Sequence, residues 1–101
     1  MNRRTKECDI PQKVKNIVWQ RDNNRCIVCG SPYAMPNAHY IARSHGGLGI
    51  EENIITLCLR CHNKYDNTCL RPVIKEYLKN YLMSKYDNWD EEKLIYNKWR
   101  F

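Results

Sequence analysis

Two cysteine pairs carry the clearest chemistry in the chain. Cys26-x2-Cys29 and Cys58-x2-Cys61 lie 28 residues apart. A CxxC turn presents two thiolates on one side, and two such knuckles meet the needs of a tetrahedral ion. Four thiolates close the coordination shell, so the predicted ion is a structural Zn²⁺ that holds no water for reaction. Such binding contributes about 10–16 kcal/mol of apparent folding free energy in small zinc domains. The alternatives are buried apolar cysteines or a disulfide, but two CxxC pairs rarely arise by chance. Cys8 and Cys69 fit neither pair and are expected to be ordinary thiols. The gap exceeds the roughly 15–20 residues of a zinc ribbon. A folded unit is therefore expected between the knuckles.

Within and just after that gap stand His39, Asn53 and His62, with Asp66 four positions beyond His62. An imidazole is neutral near pH 7 and can take a proton from water. On a helix, His62 and Asp66 share a face, which makes Asp66 a candidate second ligand of a divalent ion beside His62. Taken singly, each residue has an ordinary reading. His39 fits a hydrogen-bonded histidine in a half-buried strand, and His62 a spare zinc ligand. Asn53 fits a strand cap and Asp66 a solvated helix position. His45 is expected to be exposed.

The stretches A-H-Y-I-A-R-S-H-G-G and E-E-N-I-I-T-L-C-L-R-C-H-N-K-Y-D, with W-Q-R-D-N-N-R-C-I-V-C-G upstream, resemble the HNH nuclease family. The likeness covers roughly residues 10–70. In size and helical tail the chain is also similar to the small HNH proteins of phages and prophages. The resemblance implies a ββα-metal fold and metal-dependent hydrolysis of DNA. It implies His39 as general base, His62 as a ligand of a catalytic Mg²⁺, Mn²⁺ or Ni²⁺, and Asn53 as the residue that holds the loop and orients His39. The products it implies are a 5′-phosphate and a 3′-hydroxyl. By analogy it suggests a role in phage DNA packaging with terminase subunits as partners. The family usually carries Asp or His immediately before the base, and this chain has Ala38. Asn37, Asp66 or extra waters are the candidates to replace the missing ligand.

The elements that must position these residues follow from pattern. Residues 1–8 are polar and basic and read as a loose arm. Pro11 suits a first helical turn. Val14, Ile17, Val18 and Arg21 then predict a helix over 11–22, ended by the turn formers Asp22, Asn23 and Asn24. Strands are predicted over 37–43 and 52–57, the second from its β-branched residues. Gly46, Gly47 and Gly49 lie in the loop between them and let backbone N–H groups approach a phosphate. The second knuckle runs into a helix over 60–67. Pro72 opens the C-terminal third, where Val73, Ile74, Tyr77, Leu78, Tyr81 and Leu82 form an apolar helical stripe. Asp90 caps a last short helix bearing Leu94, Ile95 and Trp99.

The chain has 101 residues, enough for one small domain, here divided into a basic arm (1–10), a zinc-clamped core (11–70) and a helical tail (71–101). The fold class expected is α+β, a zinc-stapled ββα unit with flanking helices. A formal charge of +6 draws a small protein toward polyanions. Arg43, Lys64, Arg60 and Arg71 cluster around the proposed site, and Arg3, Arg4, Lys6, Lys13 and Lys15 add charge near the start. Arg43 and Lys64 are the expected phosphate contacts. Trp89 and Trp99 read as packing. No apolar run approaches the 18 or so residues of a membrane helix. The first ten residues lack the apolar core of a signal peptide, so a reducing bacterial cytoplasm is expected. Two rivals remain: a zinc-stabilised nucleic-acid-binding module without catalysis, favoured by Ala38, and a terminase-interacting scaffold.

Overall fold

The computed structural model describes residues 3–97. Its elements run α1 (Arg3–Cys8), α2 (Gln12–Arg21), β1 (Ala34–His39), a 3₁₀ turn at Arg43–His45, β2 (Ile54–Cys58), α3 (Leu59–Asn67), α4 (Arg71–Lys85) and a second 3₁₀ turn at Glu91–Leu94. The fold is α+β, with one antiparallel β1–β2 hairpin packed among helices. No described helix is long and apolar enough to cross a membrane.

The hairpin register pairs Ala34 with Cys58 and Met35 with Leu57, then slips to pair Ala38 with Ile55 and His39 with Ile54. The slip falls at Pro36 and Asn37. Pro36 has no N–H to give a ladder, so an extra residue is absorbed there as a bulge. The first strand therefore lies upstream of the predicted 37–43. Its regular pairing stops at His39 because Asn53 takes over. The Tyr40 N–H donates to the Asn53 carbonyl at 2.8 Å, and the Ile41 N–H donates to Asn53 Oδ1 at 2.8 Å. A side chain replaces the next rung.

The two faces of the hairpin bury different partners. Ala38, Tyr40, Ile55 and Leu57 pack with Tyr65 of α3, Leu78 and Leu82 of α4, and Leu94. Ile54 packs on the other face with Val14 and Val18 of α2 and with Ile10. Each fully buried Leu or Ile side chain contributes about 1.5–3 kcal/mol relative to exposure. The C-terminal stripe is narrower than predicted. Val73 is 70% exposed and Tyr77 52%, because two strands offer a narrow platform that Ile74, Leu78, Tyr81 and Leu82 already cover. Tyr77 instead reaches the first knuckle, where its hydroxyl donates to the Ile27 carbonyl at 2.9 Å.

The described part of the N-terminal segment, residues 3–8, is not a loose arm. Residues 3–8 form a helical turn and a half, and Cys8 is 1% exposed against the body. Asp90 caps the final 3₁₀ turn by accepting from the Glu92 N–H at 3.0 Å. The expected position of Trp99 falls outside the described residues.

Asp22 is more than a turn former. Its side chain is fully buried and its Oδ1 lies 2.8 Å from Arg21 Nε. Arg21 also donates to the carbonyls of Glu51 and Ile54, both at 2.7 Å, and to the Tyr86 hydroxyl. Asp22 accepts from the Thr56 N–H at 2.9 Å and from the Tyr81 hydroxyl. The pair thus joins α2, β2 and α4. Breaking a buried ion pair leaves an uncompensated charge, so Asp22→Ala should lower unfolding free energy by about 3–5 kcal/mol in urea titrations. A loss within about 1 kcal/mol would mean the pair contributes no more than a surface bridge.

Candidate metal centre and active site

The sulfurs of Cys26, Cys29, Cys58 and Cys61 all lie within 4.8 Å of one another. Those of Cys29 and Cys58 are 3.6 Å apart. A tetrahedral zinc with bonds of about 2.3 Å needs sulfurs about 3.8 Å apart, whereas a disulfide needs about 2.05 Å. The donor set fits the ion. Local backbone geometry builds each half. Gly30 adopts a φ of +80°, which closes the first knuckle, and its N–H donates to the Cys26 carbonyl at 2.8 Å. The second knuckle is a helix start: Cys58 caps α3, its sulfur accepting from the Cys61 N–H at 3.4 Å.

The electrostatics also call for a cation. Burial opposes ionisation of Cys26, but the N–H groups of Cys29, Cys58 and Val28 act against it and bring its thiol down to about 7. Burial and the three neighbouring sulfurs push Cys61 far up. The Cys26 thiolate forms readily, while Cys61 and Cys29, both raised, resist ionisation until a positive charge arrives. Cys8 and Cys69 stand outside the cluster.

A cleft of about 290 Å³ has walls that include His39, Arg43, His62, Asp66 and Arg71. His39 ends β1, and His62 and Asp66 come from one face of α3. His62 Nε2 and Asp66 Oδ2 are 2.9 Å apart. Adjacent ligands on an octahedral ion with bonds of about 2.1 Å lie about 3.0 Å apart, so this pair fits two neighbouring positions. The far side of Asp66 faces Arg71, whose Nη1 is 3.7 Å from Oδ1. Arg71 is itself fixed by donating to the Tyr65 carbonyl at 3.1 Å and stacking 4.2 Å above the Tyr65 ring.

His39 Nε2 lies 2.9 Å from the Cys8 carbonyl oxygen. A carbonyl only accepts, so Nε2 carries the proton and Nδ1 is left as the basic atom. Burial lowers the His39 pKa, and the charges of Arg43 and His62 lower it further, against the raising effect of the Cys8 carbonyl. The imidazole is neutral at pH 7.

Several expectations change. Asn53 does hold the loop: it is fully buried, and its Nδ2 donates to the carbonyls of Leu48 at 2.9 Å and Ile41 at 3.3 Å. Its side chain bonds are spent there, and the described partner of the His39 ring is Cys8. The glycine loop is not a phosphate cradle. The N–H of Gly46, Gly47 and Gly49 donate to the carbonyls of Arg43, Ala42 and Glu7. A Cβ on Gly47 would sit 1.7 Å from the Ile41 oxygen, so that glycine serves close backbone packing. Ala38 is fully buried in the core, on the opposite face of β1 from His39. Asn37 does not line the cleft. Lys64 is exposed and lies outside it too, two residues and so about 200° around α3 from His62. His45 is exposed. Sequence reading missed the Cys8 carbonyl, since a backbone acceptor carries no residue signature, and it grouped Arg71 by charge without seeing its place beside Asp66.

The HNH endonuclease family model matches residues 26–68, from the first zinc-site cysteine to just beyond α3. The match covers 43 of the 101 residues, and the likeness to this family holds for that stretch. The chain is similar to the CRISPR-associated endonuclease Cas9 of Corynebacterium diphtheriae, 36% identical over 53 residues, 48% of this chain and 5% of that protein. It is also similar to anaredoxin of Nostoc sp., 36% identical over 55 residues, 54% of this chain and 67% of that protein. No solved structure matches significantly.

The staple should bind close to one zinc per chain by elemental analysis. Cys26→Ser or Cys61→Ser should abolish cooperative unfolding, as should a strong chelator on the parent chain. A zinc-free chain that still melts cooperatively would remove the staple from the folding account.

Proposed function

We propose that this protein is a metal-dependent endonuclease that hydrolyses DNA phosphodiester bonds. The observation that carries the reading is that a neutral histidine and a His–Asp pair of metal-ligand spacing face one basic cleft. His39, held through Nε2 by the Cys8 carbonyl, takes a proton from water at Nδ1. His62 and Asp66 would hold the divalent ion, such as Mg²⁺, Mn²⁺ or Ni²⁺, which when bound stabilises charge on the phosphate and on the leaving 3′ oxygen. Arg43 and Arg71 bind the phosphate and fix it against His39. Asn53 acts at one remove by holding residues 41 and 48 so that the strand end stays in place. Lys64 would meet DNA only outside the cleft. The zinc is structural.

A second reading, a DNA-binding module without catalysis, is favoured by one observation. The position before His39 is a buried alanine, so the ion would have two protein ligands and otherwise water and phosphate. A role beside a phage terminase in a bacterial host rests on the resemblance alone.

Plasmid cleavage with Mg²⁺, Mn²⁺ or Ni²⁺ decides between the two. His39→Ala should lose about 10²–10⁴-fold in rate while still binding DNA. Cleavage that survives the substitution would remove His39 as base. Binding without cleavage in every metal would leave the module. Because protonated His39 is inactive and its pKa is lowered, the rate should rise with pH along a limb below the ordinary imidazole value. A limb at or above that value would contradict the buried, neutral imidazole.

A further inference from the structure

The segment just before α2 lies outside the family-matched residues 26–68, yet it touches the cleft at several points. The Cys8 carbonyl accepts from His39, and the Gly49 N–H donates to the Glu7 carbonyl at 3.0 Å. A Cβ on Gly49 would sit 1.9 Å from the Asp9 oxygen, so this glycine is what lets the segment lie against the loop. Backbone contacts thus fix where Asp9 stands. From there its Oδ1 accepts from Arg43 Nη2. The same nitrogen lies 3.4 Å from the Thr5 carbonyl.

We propose that Asp9 is a positioning residue: it holds the Arg43 guanidinium by one end so that its remaining donors meet a DNA phosphate in the cleft. The proposal rests on the nucleic-acid reading of the cleft. A free arginine side chain has rotamer entropy to lose on ordering. Anchoring it beforehand lowers that cost at the moment of binding. The alternative is that Asp9 imitates a phosphate and competes with DNA. Full imitation would use the two-pronged fork that arginine offers carboxylates and phosphates. The described bonds instead use Nη2 alone, leaving Nε and Nη1 of a residue that lines the cleft. The pair is half exposed, at 46% and 45%, so it adds little to folding stability.

The test uses the full zinc-loaded chain and a fluorescent DNA duplex, with binding read by anisotropy across a salt series. Asp9→Asn should weaken binding several-fold and flatten the slope of log affinity against log salt by about 0.9, the loss of one phosphate contact. Asp9→Glu should restore most of both. In an Arg43→Ala background Asp9→Asn should cost nothing more, because the two act as one unit. In plasmid cleavage the same change should raise KM and also lower kcat, because Arg43 both binds the phosphate and fixes it against His39. Melting temperature and zinc content should stay at parental values. Unchanged or tighter binding by Asp9→Asn would overturn the proposal, as would an equal loss in the Arg43→Ala background. A parent chain that binds DNA but cleaves none would remove the nuclease reading and leave the binding arms to decide Asp9. A parent chain that binds no DNA would overturn both.

Discussion

Four sulfurs within 4.8 Å of one another can share one metal ion only if the two knuckles are held together. That constraint organises the molecule. Cys26 and Cys29 belong to an irregular turn, while Cys58 ends β2 and Cys61 opens α3. Joining them fixes the direction in which α3 leaves the sheet. His62 follows Cys61 directly, so the staple sets the origin of the helix face that carries His62 and Asp66. In a chain of 101 residues, where surface is large relative to core, a metal cross-link supplies rigidity that apolar burial alone supplies poorly.

Two further devices work outward from the staple. The Arg21–Asp22 pair binds α2 to β2 and α4, and does so with buried charge. Such a pair is costly to bury, but its many partners leave little freedom in how the helices sit. Asn53 does the corresponding work at the far end of the hairpin, where one amide replaces a strand rung and ties two loop carbonyls. The hairpin thus has at its sulfur end four cysteines that could hold a metal ion, and at its histidine end an asparagine that ties the loop. His39 sits at that second end, and the accuracy of its placement depends on both.

Legibility differed by element for physical reasons. The helices over 12–21, 59–67 and 71–85 were readable because helical periodicity and Pro punctuation are local signals. The first strand was misplaced because its end is set by Asn53, and its bulge by Pro36, across the hairpin. The N-terminal residues looked unstructured because their order comes from contacts with the glycine loop and His39. The glycines themselves misled: they signalled backbone proximity correctly, but the neighbour is the protein's own chain.

Residue types and short spacings fix the kinds of chemistry available: two CxxC pairs for one ion, a histidine for a proton, and a His–Asp spacing for a shared helix face. Those follow from residue type and short-range geometry, which the linear order carries. Only the folded chain shows which nitrogen of His39 is basic, that Arg71 backs Asp66, that Lys64 faces away, and that Ala38 is core. Each of these depends on contacts between residues distant in the chain or on which face an element turns inward, and several are made by backbone atoms common to every residue.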